Sequence, residues 1–166
     1  MSQENAEILR ASLETWSREK WTLEAWQRAE VIDMQLLDPD VTYEDTVLPD
    51  HAGEAYRGHE GVIRAGKRWV EGSEWVLVEL EQVVAAGDRL VSIHRVRSKA
   101  LHSGIEFETS LAYVWTFRDG KVIHFRSFLD PEEAIEAAGR KDCRCAPNPA
   151  GKASGRGPAR RFAPDP

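Results

Sequence analysis

The sequence predicts an α+β protein, with helices packed on one face of a curved, mostly antiparallel sheet. Three observations carry this. Apolar residues recur at helical spacing within the first 37 residues and again from 59 to 72. Beyond Gly72 the period changes to two. Two hairpin signals, Ala86-Gly87-Asp88 and Asp119-Gly120, divide that second half.

The elements follow in order. "SQENAEILRASLETWSRE" reads as a first helix, with Ser2 as its cap and Ala6, Leu9, Leu13 and Trp16 on one face. "TLEAWQRAEVIDMQLL" reads as a second, capped by Thr22, with Leu23, Trp26, Met34 and Leu37 inward. Pro39 in "DPD" stops it, because proline disfavours helical backbone at the residue before it. "VTYED", residues 41–45, is a strand, and "LPDHAGEAYRG" a loop. "HEGVIRAGKRWVEG" is a third helix with Val62, Ile63, Gly66, Trp69 and Val70 on one side. Four strand segments follow, and "PEEAIEAAG" closes the body as a short helix.

Charge divides the chain. Residues 140–166 hold seven Lys or Arg against two Asp, a balance of +5, so residues 1–139 carry −11 of the total −6. An acidic body argues against nucleic acid as its ligand. The segment 140–166 is rich in Pro and Gly with little to bury, and reads as a disordered basic tail. Domain organisation is therefore 1–139 folded and 140–166 tail. Cys143 and Cys145 alone do not make a metal site, and no metal or cofactor is expected. No run of eighteen apolar residues and no secretory leader pattern is present, so a cytoplasmic location is expected.

The acidic strand 41–45 raises the functional question. Alternation puts Tyr43 and Asp45 on one face and Glu44 on the other. "YRGHEGV" at the third helix, "AYVWTFRDGKV" around the last hairpin and "FLDPEEAIEAAG" at the end then form a familiar order. Over about residues 3–139 the chain resembles the nuclear transport factor 2-like superfamily and, within it, the SnoaL-like proteins. That resemblance implies a cone-shaped α+β barrel: three helices lid a bent sheet and enclose an apolar pocket. It also implies a homodimer through the outer sheet face.

Residue by residue, the resemblance implies roles. Asp45 in "TYED" matches the general base of ketosteroid isomerases. A carboxylate at the mouth of an apolar pocket is desolvated and can take a proton beside a carbonyl. Tyr113 stands where those enzymes carry an acid on the penultimate strand, and Tyr43 is a second donor to an enolate oxygen. Limonene-type epoxide hydrolases share Tyr43 and Arg95, but Arg97 and Ser127 replace their acids, which argues against that reaction. Trp16, Trp26, Met34, Trp69, Trp115, Phe125 and Ser127 are the expected pocket lining, and Arg95 and Arg97 either face inward with them or pair with Glu106 or Glu108 on the adjacent strand. With Arg95 and Ser127 inward, His94 and His124 face outward. Two functions are expected: a cofactor-independent isomerase or cyclase acting on an apolar carbonyl compound, or a non-catalytic dimeric binder of an apolar small molecule.

Overall fold

The computed structural model describes residues 3–17, 19–28, 33–48 and 54–139. The expected tail, with Cys143 and Cys145, lies outside the described residues, as does the Ser2 cap. The elements run α1 (Gln3–Trp16), α2 (Leu23–Gln27), β1 (Leu37–Asp45), β2 (Glu54–Arg57), α3 (Gly58–Val70), β3 (Ser73–Ala86), β4 (Arg89–Ala100), β5 (Glu106–Arg118), β6 (Lys121–Phe128) and α4 (Pro131–Gly139). One six-stranded sheet is ordered β2-β1-β6-β5-β4-β3. All neighbours are antiparallel except β1 and β6, which are parallel. The class is the expected α+β.

The hairpins form where their turn residues put them. Asp119 and Gly120 both take positive φ, 52° and 75°, as a two-residue turn matched to strand twist requires. The second helix is shorter than its period predicts. Thr22 caps it, its hydroxyl accepting from the Ala25 amide at 3.2 Å, but α2 ends at Gln27. Leu37, expected on that helix, opens β1 instead, and Asp38-Pro39-Asp40 lies within the strand at a register shift. The proline sits at an irregularity, where a missing amide donor is tolerated. The expected loop before α3 contains β2, which pairs with β1 from Thr42–Arg57 to Asp45–Glu54.

Two apolar layers result. On the concave face α1, α2 and α3 cover Leu9, Leu13, Trp16, Trp21, Trp26, Tyr43, Val62, Tyr113, Trp115 and Phe125. On the convex face α4 covers Val91, Ala112, Val114 and Phe128 with Ala134 and Ala138. Elsewhere the same face of β3 and β4 carries ion pairs, with Arg95 on Glu81 (3.3 Å), Arg97 on Glu79 (3.0 Å) and Lys99 on Glu74 (2.6 Å).

Candidate functional site

Alternation along three adjacent strands builds the concave wall. Tyr43 of β1 lies beside Phe125 of β6, which lies beside Trp115 of β5. Their rings stack, Tyr43 on Phe125 at 4.5 Å between centroids and Phe125 on Trp115 at 4.8 Å. The lid supplies more aromatic edges: Trp16 meets Trp21 at 5.4 Å, and Trp21 meets Trp26 at 5.6 Å. Trp21 is fixed by backbone hydrogen bonds in both directions with Val76 on β3.

These rings leave a chamber of about 30 Å3, lined by Trp16, Trp21, Trp26, Tyr43, Val62, Gly66, Trp69, Tyr113 and Phe125. That space suits one or two waters. The indole N–H groups of Trp16 and Trp26 are buried and have no partner among the described residues. Orphaned buried donors are uncommon in folded proteins.

Asp45 sits behind one wall of the chamber and is fully buried. Its Oδ1 accepts from the Val47 amide (2.9 Å), the Leu48 amide (3.3 Å) and the Ser127 hydroxyl (3.3 Å). Its Oδ2 accepts from the Trp69 indole at 2.9 Å. The same N–H lies 3.2 Å from the Tyr43 hydroxyl, so Asp45 and Tyr43 share it. Ser127 also accepts from the Thr46 amide at 3.2 Å, and its carbonyl accepts from the Thr46 hydroxyl. No Lys, Arg or His pairs with Asp45 among the described residues; hydrogen bonds alone compensate the buried carboxylate. Burial, and then the neighbouring Asp45 carboxylate, hold the Tyr43 phenol well above its usual range. Burial, and then Tyr43 and Asp45, do the same for Tyr113. Both phenols are therefore protonated donors at neutral pH.

The other expected site residues divide. Trp16, Trp26, Trp69, Tyr43, Tyr113 and Phe125 reach the chamber; Asp45 stands one hydrogen bond behind it, through Trp69, and Ser127 bonds Asp45 in turn. Trp115 is packed away from it, its indole donating to the Ser92 hydroxyl at 2.8 Å, and Met34 packs at the core's edge. Arg95 and Arg97 do not face inward. They belong to the convex set of β4, while Leu90, Ser92, His94, Val96 and Ser98 take the buried concave set. Their ion-pair partners come from β3, across the strand pair.

His94 is accordingly inside, not outside, and is fully buried. Its Nε2 lies 2.8 Å from the Ser92 hydroxyl and its Nδ1 has no partner among the described residues. Burial pushes its pKa down to about 3, so the ring is neutral. His124 does face outward, 3.2 Å from Glu44. Sequence reasoning missed Trp21, left Val62 and Gly66 as helix-face residues without a place in the chamber, and put His94 on the opposite face. Gly66 had a signal, a lone glycine on the apolar side of a helix, where another chain makes a close approach.

A model of the SnoaL-like domain matches residues 10–125. The chain belongs to the SnoaL-like family. Solved structures agree on the nuclear transport factor 2-like fold. One is a protein of that fold and of unknown function from Burkholderia pseudomallei K96243, 25% identical, covering 82% of this chain and 97% of its own, with a TM-score of 0.55. A second is a candidate SnoaL-like polyketide cyclase from Jannaschia sp. CCS1, 23% identical, covering 86% and 98%, with a TM-score of 0.56. A third is TerC co-crystallised with polyporic acid, 19% identical, covering 80% and 98%, with a TM-score of 0.53. No curated protein matches this SnoaL-like chain.

Proposed function

We propose that this SnoaL-like protein binds a compact, largely aromatic-packing small molecule in the chamber, recognised through one or more acceptor oxygens. The observation that carries this is the pair of buried, unpartnered indole N–H groups of Trp16 and Trp26 at the chamber wall. With the Tyr43 and Tyr113 phenols the chamber offers donors in an apolar shell, the pattern of a small-molecule site. TerC, of the same fold, is co-crystallised with a small molecule, polyporic acid. A ligand larger than one or two waters requires the chamber to widen, and Trp26 of the five-residue helix α2 is part of the wall that would have to move. Titration of indole fluorescence with hydroxyquinones and cyclic ketones tests the reading. Saturable quenching that weakens in Trp16→Phe or Trp26→Phe is expected, since each change removes one donor. Quenching unaffected by both changes sinks it.

A second reading is proton transfer by Asp45 at the carbon next to the bound oxygen. Asp45 Oδ2 holds a single donor where Oδ1 holds three, and that donor, Trp69, is half-buried and belongs to the chamber wall. Rotation of Trp69 would open Oδ2 to the ligand. A general base of this kind contributes about 10²–10⁴ in rate. Isomerase or cyclase turnover in Asp45→Asn equal to wild type ends this reading. No cofactor enters either reading. A homodimer through the outer sheet face goes with both; light scattering at micromolar concentration checks it, twice the chain mass being the expected result.

A further inference from the structure

We infer that His94 is a further donor of the site, its Nδ1–H reaching a carbonyl-type oxygen of the ligand at the Trp16 end of the chamber; this rests on the pocket reading above. His94 is fully buried on the concave face of β4 and stands one ring from the chamber. Its ring centroid lies 6.3 Å from that of Trp16, nearly parallel at 22°, and 5.6 Å from that of Tyr113, edge-on at 79°. Trp16 and Tyr113 are themselves 6.3 Å apart, and both line the chamber. These rings therefore meet at one corner. Trp16 and His94 each hold there a buried nitrogen without a partner among the described residues. Trp26, which holds another such nitrogen, packs on Trp21 instead.

A chain of hydrogen bonds decides which ring nitrogen of His94 carries the proton. The Trp115 indole can only donate, and it donates to the Ser92 hydroxyl at 2.8 Å. That hydroxyl has one proton to give, and His94 Nε2 lies 2.8 Å from it. When Ser92 donates to Nε2, the neutral ring carries its own proton on Nδ1, and this N–H alone is left over. The opposite tautomer leaves two buried groups unpaired, the Ser92 O–H and the Nδ1 lone pair, and each unpaired buried group costs stability. Nε2 is thus committed to Ser92, and Nδ1–H is the group available to a ligand. Trp16 and His94 both donate and neither accepts. A carbonyl oxygen can use both; an alcohol in its place has a proton of its own that neither ring can take.

1-Tetralone and 1-tetralol share a ring system and differ at the oxygen. In calorimetric titration of the full chain the ketone is expected to bind about tenfold tighter than the alcohol, the worth of one well-made hydrogen bond. Two substitutions separate the Nδ1 donor from packing alone. Asn places its amide near the position of Nδ1, and Gln places its amide near that of Nε2. His94→Asn is expected to keep the ketone's advantage, and His94→Gln, which still meets Ser92, to lose it. The reverse order marks a role through Ser92 only and overturns the proposal. Equal affinity of ketone and alcohol for wild type, or an advantage that His94→Gln retains, overturns it too. In each of these cases ketone binding that weakens in Trp16→Phe leaves the pocket reading standing; if neither compound binds, both fall. Nitrogen NMR of the imidazole in the ligand-free protein decides the matter should the variants fail to fold. A proton on Nδ1 is the expected result, and a proton on Nε2 overturns the proposal.

Discussion

Asp45 shows how one buried side chain is held. Four donors surround it, and one of them positions Trp69 over the chamber. Asp45→Asn puts an amide N–H against one of these donors. Unfolding in urea is expected to show a loss of about 1–3 kcal/mol, the range for leaving a buried polar group unpaired. His94 gives a pH dependence. Folding depresses its pKa from 6.5 to about 3, so the unfolded chain takes the proton more readily. The stability from keeping this ring neutral is complete above pH 6.5 and is lost as pH falls toward 3. At about 1.4 kcal/mol per unit, wild type loses about 2 kcal/mol through this group by pH 5. His94→Gln, which cannot take the proton, should lose about that much less between pH 7 and pH 5 in the same measurement. Asp45 and Tyr43 were legible from alternation because β1 runs without a bulge from Thr42 to Asp45. Arg95 and His94 were not, because alternation fixes opposite faces without saying which face is which.

At the scale of elements, the α2–α3 contact governs the chamber. A Cβ on Gly66 would overlap the six-membered ring of Trp26. Gly66→Ala gains helix propensity of about 1 kcal/mol, but overpacking of a rigid indole costs about 1–3 kcal/mol. The expected outcome is a displaced Trp26, seen as red-shifted indole emission with a lowered Tm. Unshifted emission would mean that α2 yields as a body. The long strands and the third helix were legible because period and turn chemistry agree there. The second helix was overextended because the apolar residues of 23–37 fit helical spacing, although Leu37 is buried as part of a strand. β2 was missed because a four-residue strand has too few residues to display alternation, and it exists through its pairing with β1.

For the whole molecule, α4 is the element that changes the picture. It lies on the convex face and covers part of the surface expected to dimerise. Among the described residues both apolar layers are built from 3–139, and a chain ending at Gly139 is expected to unfold at the Tm of the full chain. A drop of several degrees on removing 140–166 would show that the tail contributes to the fold. Among the described residues no group of His, Cys, Asp or Glu is arranged to hold a metal, and no helix is long and apolar enough to cross a membrane. By itself the sequence determined the α+β class, the two hairpin turns and the shared face of Tyr43 and Asp45, because each depends on residues a few positions apart. Only the tertiary structure decided that His94 is inside, that Arg95 and Arg97 are outside and that the aromatic residues nearly fill the chamber. Those outcomes depend on which sheet face the lid helices cover, and that is settled by packing between segments distant in the chain.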